Sequence, residues 1–157
     1  MVANKEKTQK KCCFYVSDFH LEMTILPYIN KKIEDNNNIV IITENKLEET
    51  IKILISRMNI KNKNKILKLD WNNKNINLIQ NEENLVIING TKKFVDSKNK
   101  ELNEYLREGI IEVVNCYMFE EIKDEIVEIT AKHTEVLNNL EKTVEKKWKM
   151  VYNGKVV

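Results

Sequence analysis

Ile39-Val40-Ile41-Ile42-Thr43, entered from Asp35-Asn36-Asn37-Asn38 and left through Glu44-Asn45, is the stretch whose reading decides the fold. An unbroken β-branched run bounded by turn residues fits a strand buried on both faces, which is how strands of a helix-covered parallel sheet look. Working outward, the same signal recurs in Cys12-Cys13-Phe14-Tyr15-Val16-Ser17, in Leu85-Val86-Ile87-Ile88-Asn89 and in Ile110-Ile111-Glu112-Val113-Val114-Asn115. Lys65-Ile66-Leu67-Lys68-Leu69-Asp70 alternates and reads as a further strand. Between these runs the apolar spacing turns helical: Phe19, Met23, Leu26, Ile29 and Ile33 after an Asp18 cap, with Pro27 as a kink. Leu47, Ile51, Leu54 and Met58 follow an Asn45–Glu48 capping box, and Leu102, Tyr105 and Leu106 precede Gly109. Phe119, Ile122, Ile126, Ile129, His133, Val136 and Leu137 mark one long amphipathic helix. The segment from Trp71 to Glu83, rich in Asn, reads as a loop. Five strands alternating with helices give the expected fold class: a three-layer α/β domain with an open, mostly parallel five-stranded sheet and helices on both faces.

The chain of 157 residues fits one such domain. Residues 1–11 read as a flexible basic tail, 12–140 as the α/β domain, and 141–157 as a helix end followed by an edge strand or short hairpin. In that last part Trp148, Met150 and Tyr152 alternate with Lys149 and Val151 before an Asn153-Gly154 turn. A hydrophobic fraction of 42% with 32% charged residues excludes a disordered chain and a membrane protein. No apolar run approaches the roughly 20 residues of a membrane helix, and no signal-type segment opens the chain, so a cytoplasmic location is expected. The formal charge is only +2 and Arg57 and Arg107 are the only arginines. Nucleic acid is therefore not an expected partner. Lys5 to Lys11 and Lys146-Lys147 read as solvated lysines.

In an open parallel sheet, ligands bind beyond the carboxyl ends of the strands. That rule gathers the candidate ligand-binding residues Tyr15, Ser17, Asp18, His20, Glu44, Trp71, Asn89, Cys116 and Tyr117 at one rim, with His133 from the last helix. Trp71 either anchors its loop or walls a pocket. His133 is either a hydrogen-bonded core residue or one that positions a ligand, with a pKa open to tuning. Glu44 also suits the start of the second helix. Cys12 and Cys13 are expected at the opposite end of their strand from Cys116. Four residues of strand span about 13 Å, beyond the roughly 7 Å limit for a bridged pair. Three cysteines without a metal spacing read as reduced thiols.

A phosphate-cradling loop needs glycine, and the loop Ser17-Asp18-Phe19-His20 has none. ATP or NAD held in the usual manner is disfavoured, and no cofactor is expected. Val16-Ser17-Asp18-Phe19-His20-Leu21 resembles the strand-end DxH of calcineurin-like metallophosphoesterases. Two-metal hydrolysis needs further ligands, and the chain has one other histidine, so neither a metal site nor catalytic residues are assigned.

Two stretches together resemble the MEDS family, the methanogen/methylotroph sensory domain. Cys13-Phe14-Tyr15, then Leu26-Pro27-Tyr28-Ile29, then Ile39 to Glu44 are similar to its opening strand, its helix with an apolar-Pro-aromatic step and its second strand. Val113-Val114-Asn115-Cys116-Tyr117 with Ile126 to His133 and Val136-Leu137 is similar to its closing strand and helix. The resemblance covers most of residues 12–140, leaves out Asn59 to Asn84, and replaces a glycine-containing turn by Asp35-Asn36-Asn37-Asn38. It implies a RecA-like fold without its phosphate loop, serving as a sensor or regulator. The expected function is thus a non-catalytic sensory or regulatory domain that binds a small molecule, a partner protein or a second copy of itself. A module acting through the tail from Trp148 to Val157 is the alternative, with a metal-dependent hydrolase using Asp18 and His20 as a third reading.

Overall fold

The computed structural model describes residues 8–73, 75–79, 82–105 and 110–137. The β-branched runs form a five-stranded, all-parallel sheet in the order β2-β3-β4-β1-β5. Its strands are β1 (Thr8–Tyr15), β2 (Asn38–Thr43), β3 (Glu83–Gly90), β4 (Ile110–Met118) and β5 (Glu135–Leu137). The helices are α1 (Asp18–Glu34), α2 (Glu48–Arg57), α3 (Lys63–Leu67), α4 (Lys92–Asn103), α5 (Phe119–Ile122) and α6 (Ile126–Ala131), with a 3-10 turn at Lys123–Glu125.

Alternation along each strand divides the core into two layers. On the first face Cys13, Tyr15, Ile41, Leu85, Ile87 and Val114 pack against Leu21, Ile25, Ile51, Ile55 and Ile66 of α1, α2 and α3. On the second, Phe14, Val40, Ile42, Val86, Ile88 and Val113 pack against Val95, Leu102, Ile122, Ile126 and Ile129 of α4, α5 and α6. The three-layer expectation holds.

Three elements differ from the expectation. Lys65–Asp70 is no strand: Lys63–Leu67 is α3, with Ile66 buried. With Ile66 its sole β-branched residue, that run has little to hold it extended. The long final helix is broken: α6 ends at Ala131 and the next residues become β5. The Thr134 amide and hydroxyl both donate to Lys10 O, at 2.7 and 3.0 Å, so the chain is captured by the edge of β1. The first strand begins at Thr8, so Thr8 to Lys11 belong to the sheet rather than to the basic tail. The tail from Trp148 to Val157 and the Gly109 cap lie outside the described residues.

Local chemistry accounts for the remaining joints. Asn36 sits at φ 62, the left-handed position that ends α1. Its amide and that of Asn37 return to Ile33 O and Lys32 O, so Asn36 does a glycine's task. Asn45 makes no capping box; α2 starts without a side-chain cap. Trp71 belongs to the first layer, whereas Ile76 and Leu78 pack in the second. Asn72 reaches Glu48 at one end of that stretch and Asn38 reaches Asn77 at the other. The Asn-rich segment thus flanks β2 and changes face beside it.

Near the amino end of the sheet Glu112 gathers charges. Its carboxylate accepts from Tyr28 and lies 3.3 Å from Lys11 Nζ and 3.2 Å from Lys32 Nζ. Burial alone would raise the Glu112 carboxyl, but the Tyr28 hydroxyl and the two ammonium groups outweigh it and hold the pKa below 4.5. Burial, reinforced by Glu112, pushes the Tyr28 hydroxyl up to about 12.

Candidate functional site: the crevice between β1 and β4

The chain leaves β1 over the first face, through α1, and leaves β4 over the second, through α5 and α6. Where neighbouring strands send their connections to opposite faces, a crevice opens at their carboxyl ends. Here it lies between Tyr15-Val16-Ser17-Asp18 and Tyr117-Met118-Phe119, with Tyr15 paired to Met118.

The polar groups of the rim bind one another. Ser17 caps α1 by accepting the His20 amide at 3.1 Å. His20 Nδ1 accepts the Val16 amide at 3.1 Å, which leaves the ring proton on Nε2, and burial lowers its pKa from 6.5. Asp18 Oδ1 accepts from Asn45 Nδ2 at 2.8 Å. Tyr15 is buried at the end of β1, and burial raises its hydroxyl above the ordinary 10.

Further along, Glu44 reaches across to α4, where its Oε1 accepts the Thr91 amide at 2.7 Å. Glu121, which the sequence reading did not single out, accepts the Lys92 amide at 2.8 Å. Two carboxylates therefore occupy the first amides of α4, positions at which helix termini elsewhere hold phosphate. Gly90 makes room for this: a Cβ there would stand 2.3 Å from Glu44 Oε1. Asn89 donates to Thr43 Oγ1 at 3.0 Å, and its Oδ1 is buried without a hydrogen-bond partner among the described residues.

Cys116 stands directly opposite Cys13 in the parallel register, so the two thiols are neighbours on one face of the sheet. This corrects the expectation of widely separated cysteines. β1 starts early enough that Cys13 lies near its carboxyl end, and β4 runs two residues past Cys116.

The structure therefore brings Tyr15, Ser17, Asp18, His20, Glu44, Asn89, Cys116 and Tyr117 to the carboxyl ends of the strands. Trp71 and His133 stand elsewhere. Trp71 is buried, its indole N–H on Ile66 O at 3.0 Å, and so it anchors its loop. His133 lies in the turn before β5, edge-on to Tyr117 at 6.3 Å and bonded to Asn115.

Beside the exposed Ser17 and Asp18, the crevice offers apolar surface to solvent. Val16 is 67% exposed, Phe19 63% and Met118 38%. Sequence periodicity assigned Phe19 to the buried stripe of α1, but that stripe is Leu21, Ile25, Leu26 and Ile29. Met118 was not singled out in the sequence, where the strand was expected to end at Asn115; β4 runs three residues further. A charged groove of about 650 Å³ runs beside α4, lined by Lys92, Lys93, Asp96, Lys100, Glu121 and Glu125. Its Lys92 is already paired with Asp96 and Glu125. Among the described residues no three His, Cys, Asp or Glu side chains are placed to share a metal ion, and no helix is long and apolar enough to cross a membrane. Comparison with protein-family models, curated proteins and solved structures gives no match.

Proposed function

We propose that the chain is a non-catalytic sensory or regulatory domain of the cytoplasm that recognises the apolar part of a small ligand or of a signalling partner at the crevice between β1 and β4. One observation carries this reading: Val16, Phe19 and Met118 stand exposed where the sheet's connections diverge, while the polar groups around them are bonded to each other. An apolar ligand or side chain entering there displaces water without breaking those bonds. The carboxylates of Glu44 and Glu121 at α4 favour an uncharged or cationic guest over a nucleotide. The likeness of residues 12–140 to a sensory-domain family points the same way.

The hydrolase reading is less well supported, since Asp18 is engaged by Asn45 and the His20 Nδ1 lone pair by the Val16 amide. The test is native mass spectrometry of the full chain purified from its own cytosol, wild type beside Val16→Asp and Phe19→Asp. Retention of a small molecule or protein by the wild type and its loss from both variants is the expected result. Equal retention by all three, or a wild type that carries only a metal ion, overturns the proposal.

A further inference from the structure

We propose that His133 is an acid-sensitive latch for β5: uptake of a second ring proton releases the strand and uncovers the edge of β1. The argument starts from a chain of side chains beneath α4 and α6. His133 Nδ1 lies 2.5 Å from Ile129 O, and a carbonyl only accepts, so Nδ1 carries the proton and Nε2 is an acceptor. Asn115 Nδ2 fills that acceptor at 3.0 Å. Asn115 Oδ1 in turn accepts from Asn99 Nδ2 at 2.8 Å, and the same Nδ2 donates to Val95 O at 2.8 Å. Asn99 Nδ2 is thus shared between Val95 O and Asn115 Oδ1, and Asn115 Nδ2 between His133 Nε2 and, at 3.4 Å, Asn99 Oδ1.

A proton on Nε2 sets N–H against the Asn115 amide nitrogen. Turning Asn115 over moves the conflict to Asn99, and turning Asn99 over as well sets its oxygen against Val95 O. The series cannot reverse, because a carbonyl terminates it. Asn115 is 2% exposed, so water is not at hand to take up the stranded donor. The charged ring is accommodated by leaving.

The groups facing the ring come from every neighbouring element. Asn115 and Tyr117 come from β4, Asn99 from α4, Lys10 from β1 and Lys132 from the turn itself. Burial, with Lys10 and Lys132, lowers the His133 pKa from 6.5 and outweighs the Ile129 carbonyl, which favours the charged ring. A group whose pKa is depressed on folding contributes stability above its unfolded value, and that contribution is lost as the pH falls below it. What is lost is local. β5 is held by three register pairs, by Thr134 on Lys10 O, by a Lys11–Glu135 ion pair at 3.5 Å and by Leu137 and Val136 packed against the first and second core layers. Once it leaves, Lys11 to Cys13 present unpaired backbone groups, to which another strand can add.

The test is amide hydrogen exchange of the full chain, followed by NMR at about pH 7.5 and about pH 5.5 and corrected for intrinsic rates. Protection of Thr134 and Val136, the amides that face β1, is expected to fall about tenfold at the lower pH relative to that of Val86 and Ile88 in β3. Gln at position 133 offers a donor and an acceptor without titrating, so His133→Gln abolishes the fall, whereas His20→Gln retains it. Unchanged β5 protection, or a fall that persists in His133→Gln, overturns the proposal. Should His133→Gln leave β5 undocked at both pH values, ring nitrogen shifts of the wild type decide. A charged His133 ring appearing only with shifted β5 resonances supports the latch, and a charged ring beside unshifted ones refutes it.

Discussion

Glu112 is where the largest single effect is expected. Its side chain is 11% exposed and Lys11 only 13%, so removing the carboxylate takes the counter-charge from Lys32 and leaves Lys11 only the more exposed Glu135 in a poorly hydrated place. Glu112→Ala should lower the unfolding free energy by about 3 kcal/mol, read from the denaturant midpoint. Because the Glu112 pKa is held below 4.5, the stabilisation is complete at neutral pH and is lost as the pH falls below that value, a drop absent from the variant. Two backbone positions give smaller effects. Asn36→Gly should stabilise by about 1 kcal/mol, since Asn36 already holds φ 62. Gly90→Ala should destabilise by about 2 kcal/mol, because its Cβ would drive Glu44 off the Thr91 amide. At this scale the sequence spoke unevenly. Tyr15, Ser17 and Asp18 were legible as strand-end groups because they follow an apolar run. Glu112 and Glu121 were not, since a carboxylate inside a strand or a short helix looks like any solvated charge until its partners arrive from α1 and α4.

Among the elements, β2, β3 and β4 were legible because continuous β-branched runs have few alternatives. Helix α3 and strand β5 were misread for one shared reason: three to six residues carry too little periodicity to separate a turn of helix from a short strand, and tertiary capture then decides. The Lys10 carbonyl made β5, and the burial of Ile66 beneath Trp71 made α3. Pro27 was read correctly as lying inside α1. It is exposed there and withholds one amide from the ladder, so Pro27→Ala should raise stability by about 1 kcal/mol, with the change visible in the thermal midpoint.

For the molecule as a whole, the all-parallel arrangement was legible and the strand order was not, because order depends on which way each crossover travels. That order places the crevice between β1 and β4 and so brings forward Val16 and Phe19. Replacing either by Asp should change folding stability by less than about 0.5 kcal/mol, as befits exposed positions, so any loss of binding reads on the surface alone. The same order sets Cys12, Cys13 and Cys116 in adjacent inner strands, each with 0% of its surface accessible. Burial pushes the Cys12 thiol up to about 12, and the neighbouring Cys13 together with burial raises Cys116 well above the ordinary thiol value. A bulky alkylating reagent meets these sulfurs only when the helices that cover the sheet lift away, those of the first face for Cys13 and Cys116 and those of the second for Cys12. Labelling kinetics therefore time the opening of each core layer, and any guest that clamps the crevice should slow that clock by the factor it adds to the opening equilibrium.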